Sequence, residues 1–457
     1  MSLWSLDQVA RATGGTLTPF SGLELTGIST DTRSLVPGNL FVPLVGPDYD
    51  GHDFVEKAFE AGAAATLWAR PGEPGRRPAV QVADTLAAYQ DLARFHRRRL
   101  AIPVVAVTGS AGKTTTKELC AAVLGSRFEV HKTAKNYNNE VGVPRTLLEL
   151  EPSHQVAVVE MAMRGAGQIR QLARLADTRV ALISSIGEAH IELLGSREAI
   201  CDAKGELLEE LGPGATAVLP AECEFFERLK SRTRCEVLSF AVEGPADVRA
   251  VQLESRGVLG WRLEVDCLGR RSELEFPAPG RHNLSNLMGV LAVAAIFGVT
   301  PEEAAPAIAA FRGAELRMEV RQLEAGVVLL NDSYNASPAA MEGALEVLGS
   351  ATGRRLAVLG DMLELGSFAP ELHRRVGEAA RRQKLDVLVA VGEESRALAE
   401  AARGGSGEVH WAPDREQAWE LLRPRLSPGD TVLVKASRGM GLDWVAQRLQ
   451  EVPLPLS

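Results

Sequence analysis

The sequence predicts an α/β protein of three domains, with a central parallel sheet that carries an antiparallel edge. Three observations predict it. Between residues 102 and 220, apolar runs bounded by turns alternate with amphipathic segments of helical period, which is how parallel strands joined by crossover helices read. Beyond Gly313 the alternation starts again as a second series. At 457 residues, the chain is also longer than one hydrophobic core usually serves.

The first eighty residues hold SLDQVARATGG, a short amphipathic segment, LELTGISTDTR, an extended piece, and DFVEKAFEAGAAATLW, a helix leading into a strand. They predict a small N-terminal α/β domain, residues 1–83. PGEPGRRP is a polar loop, after which DTLAAYQDLARFHRRR carries a helix into the central domain, residues 84–314. Its HRRR end suits a phosphate patch or, in better accord with the helix dipole, a solvated terminus. IPVVAV, VAVVEM, VALISSI and TAVLP are the strands of the parallel series, separated by TTKELCAAVL, GQIRQLARLA and REAICDAKGELLEEL. Residues 235 to 276 change period. VRAVQLE and WRLEVDCLG nearly alternate between glycines, predicting an antiparallel meander at the sheet edge, before HNLSNLMGVLAVAAIFG returns to helix. GVVLLNDS, RRLAVLGD, DVLVAVG and DTVLVKAS then end apolar runs at polar or small residues, predicting a Rossmann-like C-terminal α/β domain over 315–457.

Composition removes several function classes. The apolar fraction of 46% is that of a globular chain, and a net charge of −9 gives no global pull toward nucleic acid or an anionic membrane surface. The five cysteines at 120, 201, 223, 235 and 267 are scattered, with no Cys-x-x-Cys, so neither a disulfide framework nor a zinc site is indicated. LMGVLAVAAIFGV, 13 residues, is too short to span a bilayer, and the N-terminus has no signal-peptide pattern. A cytoplasmic protein is expected.

The richest stretch is IPVVAVTGSAGKTTTK, where an apolar run breaks into a glycine turn and opens a helix. Small residues at Gly109, Ser110, Ala111 and Gly112 let backbone N–H groups approach a phosphate, Lys113 adds charge, and Thr114, followed by Thr115, offers a hydroxyl to Mg²⁺. This makes the central sheet P-loop-type. The usual pattern has a glycine six residues before the lysine, where Val107 stands, so a shorter variant of the loop is predicted.

In open parallel sheets, ligands gather beyond the carboxyl ends of the strands, so residues just after each apolar run are the next candidates. Glu160 follows VAVV and suits either Mg²⁺ or an exposed strand end. His190, in SSIGEAHIE, is a metal ligand or a structural histidine. Lys204 lies on a helix whose three- and four-spaced neighbours are Ile200, Cys201, Leu207 and Leu208, so it shares the apolar face. It points inward to a site, or its stem lies on apolar surface with the ammonium in water. KNYNNEVGVP supplies Asn136, Asn138 and Asn139, a hydrogen-bonding cluster or a turn. In NDSYNASP, Asp332 could accept from ribose hydroxyls and Tyr334 could stack on a base, or the segment could be a strand-end turn before a capped helix. Arg317, Lys435 and Arg438 are cations near strand ends, readable as ligand contacts or as surface charges.

Together TGSAGKTTTKE, KNYNNEVGVP, VEM, SSIGEAHIE, AKGEL, RHNLSNLMGVLA, LRMEV, NDSYNASP and LGDMLELG resemble, in order, the motifs of the Mur ligases, ATP-dependent amide-forming enzymes of peptidoglycan precursor assembly. Within that family STDTRSLVPGNLFVPLVGPDYDGHDF, NDSYNASPAAM and LGDMLELG look most like the branch that adds D-alanyl-D-alanine. The Asp-Asn-Pro-Arg motif of the branch that adds diaminopimelate is not found. The resemblance implies an N-terminal domain for the UDP-sugar peptide, a central ATPase, and a C-terminal domain that closes and helps bind the incoming dipeptide. ATP and Mg²⁺ are the implied cofactors. UDP-N-acetylmuramoyl-tripeptide and D-alanyl-D-alanine are the implied partners, with the chain a monomer. Carried over by motif, Lys113 and Thr114 serve phosphate and Mg²⁺, and Glu160, His190 and a carbamylated Lys204 are metal ligands. Asn283 and Asn286 lie near adenine, and Arg317 and Asp332 contact phosphate and ribose. Ser29, Thr30, Asp31 and Arg33 belong to the nucleotide-sugar region, and Asn136, Asn138 and Asn139 to the adjoining peptide loop. Ala162 departs from the glycine many relatives carry after the Glu-Met pair, which leaves the shape of that loop open. Folylpolyglutamate and cyanophycin synthetases share the ATPase core, but the STDTR region argues against both. A nucleotide-switched regulator is the rival from another class, separable because it needs no acceptor amine.

Overall fold

The structure is a computed structural model that describes residues 4–18, 20–72, 77–189, 191–405 and 407–451. It contains the expected three-sheet α/β architecture, with a further two-stranded pair, Trp4–Ser5 against Glu24–Leu25. In the N-terminal sheet the strand order is Thr16–Leu17, Ala79–Gln81, Ala65–Trp68, Asn39–Phe41 and Gly27–Ser29, parallel except at the first pair.

The central sheet has nine strands, with the phosphate-loop strand Val104–Thr108 between Val180–Ile183 and Val156–Glu160. All three are buried along their whole length, as strands covered by helices on both faces must be. The period change begins later than expected. Glu236–Ala241 still pairs parallel to Thr216–Pro220, and Val248–Ser255 starts parallel beside it; only Val248–Ser255, Trp261–Cys267 and Arg270–Phe276 form the antiparallel meander. Leu238, Phe240 and Ala241 sit inside the core, so the segment from 236 obeys the buried pattern of the parallel series. The C-terminal sheet has six strands, parallel except for the edge pair Glu319–Gln322 and Val328–Asn331.

Two features lock the domains together. The helix Thr85–Leu100 puts Ala88, Tyr89 and Leu92 into the N-terminal core, while Ala93 joins the central core. Its C-terminal end corrects the expectation of a solvated terminus. Arg98 and Arg99 are exposed, but His96 and Arg97 are buried, with His96 against the Leu150 carbonyl at 2.8 Å. Arg97 donates to the carbonyls of Ala176 (3.1 Å) and Asp177 (3.2 Å), capping the helix Gln168–Ala176 where its last carbonyls lack partners. The second lock is a continuous apolar cluster across the central and C-terminal domains, which includes Met163, Ile186 and Ile191 on one side and Met362 and Leu365 on the other. Between those domains the chain turns through Gly313, Leu316 and Met318, all with positive φ. No helix among the described residues is long and apolar enough to cross a membrane.

Arg97 makes a stability prediction. Replacing it by Met keeps the stem but strands two carbonyls, so Arg97→Met should lower stability by about 1–3 kcal/mol, read as a fall in the denaturant midpoint. A midpoint equal to wild type would show that the cap carries no weight.

Candidate active site

Sheet register brings the site together. Glu160 pairs with Val107 and Ile183 with Thr108, so three neighbouring strands end at one level around the glycine turn. Two glycines of that turn are dictated by close approach. A Cβ at Gly109 would lie 2.0 Å from Ser184 Oγ, and one at Gly112, where φ is +81°, would lie 2.4 Å from Asn286 Oδ1. The helix Lys113–Leu124 that follows has no side-chain cap. The N–H groups of Lys113, Thr114 and Thr115 therefore face outward as an anion site, reinforced by the helix dipole.

The donor set differs in one respect from the sequence expectation. Ser110 N donates to Ser185 O and Ala111 N to Ser185 Oγ, both at 2.9 Å, so these two N–H groups hold the turn in shape and are not free for an anion. Ser184 Oγ donates to Ala111 O (2.6 Å), and Ser110 Oγ accepts from Gly187 N (2.9 Å). The serines of SSIGE thus brace the loop. Sequence reasoning drew only the histidine from that motif, although small polar residues just past a strand were the available signal.

Beside the turn lies a cluster of poorly compensated charge. Lys113 bends back to donate to Gly109 O at 2.7 Å, and loss of water pushes its ammonium down to about 8, with Glu160 opposing the shift and Arg317 adding to it. Glu160 is 1% exposed. Its Oε1 accepts from Asn138 Nδ2 (2.7 Å) and Thr114 Oγ1 (3.3 Å), and its N donates to Thr133 Oγ1 (3.0 Å). The other oxygen, Oε2, is buried with no hydrogen-bond partner. Lys204, also 1% exposed, sits on the helix Arg197–Glu209, so of its two readings the inward one holds. Burial drives its amine well below the usual lysine range, and the charge of Lys113 adds to the shift. Glu206, two residues on, faces elsewhere, accepting from Gly167 N (2.6 Å) and Arg170 N (3.1 Å) to cap the helix Gln168–Ala176. His190 lies outside the described residues.

A hard divalent cation fits this cluster. Mg²⁺ seeks anionic and hydroxyl oxygens, and here a desolvated carboxylate oxygen lacks a partner next to a threonine hydroxyl.

A cavity of about 240 Å³ opens beside the turn, between Gly112, the helix start at Asn283 and Asn286, and, from the C-terminal domain, Arg317, Asp332 and Lys435. Asn283 Nδ2 donates to Pro279 O (2.7 Å) and Asn286 Nδ2 to Asn283 Oδ1 (3.4 Å), which fixes both amides at the cavity wall. Asp332 is already engaged. Its Oδ1 accepts from Met318 N (3.1 Å) and its Oδ2 pairs with Lys435 Nζ (2.6 Å), which also donates to Asn335 O (2.9 Å). Lys435 is accordingly a buried cation rather than a surface charge. Tyr334 carries the Arg317 guanidinium 4.1 Å from its ring centroid, so in this arrangement that face meets a cation. Arg438 pairs with Asp443 at 3.1 Å. His282, Ser184 and Glu188 also line the cavity and were not singled out from the sequence.

A second, separate cavity of about 480 Å³ in the N-terminal domain is lined by Thr30, Asp31 and Arg33 with Tyr49 and Phe54. Arg33 grips Asp31 through Nε (2.9 Å) and Nη2 (2.6 Å), holding that carboxyl down to about 2, and Ser29 Oγ donates to Asp31 O (3.0 Å). The loop 136–141 touches both the second cavity and Glu160. Val141 lines the second, Asn138 reaches Glu160, Asn136 is exposed, and Asn139 Oδ1 accepts from Gly142 N (2.9 Å) in a turn. Ala162 N donates to Asn138 O (2.8 Å), and Ala162 is not among the positive-φ residues, so alanine fits there unstrained.

Three family models match the chain: the Mur ligase family catalytic domain over residues 24–97, the Mur ligase middle domain over 107–294, and the Mur ligase glutamate ligase domain over 316–438. The chain is 36% identical to UDP-N-acetylmuramoyl-tripeptide--D-alanyl-D-alanine ligase of Bacillus subtilis, over 98% of this chain and 99% of that one. It is 41% identical to the Synechocystis enzyme of the same name, over 93% and 92%. Among solved structures, it resembles MurF from Acinetobacter baumannii with TM-score 0.92 and 30% identity, over 98% of this chain and 99% of that one. MurF ligase from Thermotoga maritima in complex with ADP gives TM-score 0.83 at 28% identity, over 93% and 97%.

Gly112→Ala tests the turn. The left-handed backbone and the contact with Asn286 forbid a Cβ, so titration with a non-hydrolysable ATP analogue should show binding weakened about tenfold or more. Wild-type affinity would mean that this corner does not hold the phosphates.

Proposed function

The chain belongs to the Mur ligase family, and from that premise we propose its reaction and the residues that carry it. It is an ATP-dependent ligase that joins D-alanyl-D-alanine to UDP-N-acetylmuramoyl-tripeptide, giving the pentapeptide precursor of peptidoglycan, ADP and phosphate. The observation that carries the residue assignment is that an uncapped helix N-terminus and the unpartnered Glu160 Oε2 meet at one strand level, with the buried Lys204 amine near enough to feel the charge of Lys113. Residues 1–83 bind the UDP-sugar peptide, 84–314 bind ATP, and 315–457 close on the nucleotide and bind the dipeptide. The chain acts as a monomer in the cytoplasm, and its five cysteines are free, as a reducing compartment would keep them.

Charge dictates the chemistry. A peptide carboxylate is a poor electrophile, and its oxygen must approach a triphosphate that is also anionic. Lys113 and the N–H groups that open the helix Lys113–Leu124 draw the phosphates into the turn and offset the charge that spreads over the transferring phosphoryl oxygens. Asn283 and Asn286 hold the adenine end, with Arg317, Asp332 and Tyr334 closing over the nucleotide from the C-terminal domain. Thr114, Glu160, His190 and carbamylated Lys204 would hold Mg²⁺. That ion, when bound, screens the two anions from each other. Burial lowers the hold of the Lys204 amine on its proton and so makes its lone pair more available to CO₂; a C–N bond would form as one C=O π bond opens and the nitrogen gives up a proton, leaving a carboxylate-like oxygen ligand.

The γ-phosphoryl group passes to the peptide carboxylate, giving an acyl phosphate with a good leaving group. The amine of D-alanyl-D-alanine then attacks the acyl carbon, and the tetrahedral intermediate expels phosphate to leave the amide. Thr30, Asp31, Arg33 and Ser29 anchor the nucleotide-sugar end, and the loop through Asn136, Asn138 and Asn139 leads the peptide toward Glu160. Lys435 and Arg438 serve the acceptor side. Closure about the left-handed Leu316 and Met318 aligns the amine and excludes the water that would hydrolyse the acyl phosphate.

A coupled assay of phosphate release tests the reaction: turnover should require both UDP-N-acetylmuramoyl-tripeptide and D-alanyl-D-alanine, and turnover indifferent to the acceptor would refute it. Lys204→Ala should lose activity by about 100-fold or more, with partial recovery on adding formate or acetate. Full activity in the unrescued variant would remove Lys204 from the site.

A further inference from the structure

One buried charge is left unused by this chemistry. Lys117 lies four residues after Lys113 on the same helix, one turn further from the phosphate corner, and is fully buried. Its ammonium donates to the carbonyls of Thr133 (2.8 Å) and Lys135 (3.3 Å) and pairs with Glu118 Oε1 at 2.9 Å. Burying an ammonium is costly unless such partners are supplied, and an apolar side chain of equal volume would fill the space at less cost. What the charge adds is direction.

Both carbonyl acceptors belong to the loop that leads to Glu160. Thr133 N donates to Val158 O (3.0 Å), and Thr133 Oγ1 accepts from Glu160 N (3.0 Å). Lys135, whose carbonyl is the second acceptor, stands at φ +48°, a left-handed conformation costly for a side chain of its kind. That turn brings the chain back so that Asn138 Nδ2 donates to Glu160 Oε1 (2.7 Å) while Asn138 O accepts from Ala162 N (2.8 Å). With Asn138 holding Oε1, Oε2 is the carboxylate oxygen left without a partner.

We infer that Lys117 is a positioning residue: its buried ammonium clamps the loop 133–139 and, through Thr133 and Asn138, aims the free oxygen of Glu160 into the site. The inference rests on the proposed role of Glu160 as a metal ligand. One helix therefore serves both ends of the reaction, with Lys113 toward the phosphates and Lys117 toward the loop beside the peptide substrate.

Lys117→Met, which keeps the stem and removes the charge, is compared with Glu160→Gln and with wild type. Hydrogen exchange of residues 133–142 should be faster in Lys117→Met. Mn²⁺ binding in the presence of a non-hydrolysable ATP analogue, followed by electron paramagnetic resonance of free Mn²⁺, should weaken about tenfold, with affinity for the analogue itself changed less than about twofold. The double variant with Glu160→Gln should bind Mn²⁺ no more weakly than Glu160→Gln alone, since the lysine acts through the glutamate. Lys117→Arg, which retains a donor, should recover part of the loss. Wild-type loop exchange together with wild-type Mn²⁺ affinity in Lys117→Met would overturn the inference. Unchanged Mn²⁺ binding in Glu160→Gln would instead overturn the metal role of Glu160, leaving loop exchange to decide whether Lys117 clamps the loop. If Lys117→Met does not fold, Lys117→Gln is read by the same two measurements and the same outcomes.

Discussion

The structure depends on setting the charges of half-buried Lys113 and buried Glu160 beside the buried Lys204 amine without letting the two charges satisfy one another. Paired tightly, these charges would neutralise and the site would be inert. In water they would be screened, and their pull on a triphosphate would fade. The fold keeps Lys113 and Glu160 between these limits by making the local partner of each a neutral dipole. Lys113 donates to a backbone carbonyl, Glu160 accepts from an amide and a hydroxyl, and Lys204 lies among apolar neighbours on its own helix.

Rigidity around this cluster is supplied from several directions. The buried strands Val104–Thr108, Val156–Glu160 and Val180–Ile183 set the level at which the side chains emerge, and the serines at 184 and 185 brace the glycine turn from the neighbouring strand end. The C-terminal domain lines the first cavity through Arg317, Asp332 and Lys435, which are tied to one another or to Tyr334 close to the connection through Leu316 and Met318. An Asp332 held by both Lys435 and Met318 N couples the connection itself to the cavity wall.

Much of this was legible in the chain. Apolar runs ending in Thr108, Glu160 and SSI read as buried parallel strands because both faces of such strands need hydrophobic cover, and their polar ends marked the site. The helical spacing around Lys204 put it on the apolar face, and burial resolved which way its ammonium points. The strand Glu236–Ala241 was assigned to the meander because its neighbours alternate, although its own burial follows the parallel series. The HRRR terminus read as solvated because composition does not reveal that Arg97 meets the end of another helix. Ser185 and Lys117 lie inside quoted motifs whose roles were read from other residues, and Thr133 carries no motif of its own.

The order of short-range signals along the chain was enough to determine the α/β class, the glycine turn that opens the helix Lys113–Leu124 and the residues able to bear charge, because helix period, strand burial and glycine turns are local properties. Only the tertiary structure decided which charges lose their water, which backbone donors are already occupied, and which loop reaches Glu160. Those are matters of distance between segments far apart in sequence, and desolvation is set by everything that surrounds a group, not by its neighbours in the chain.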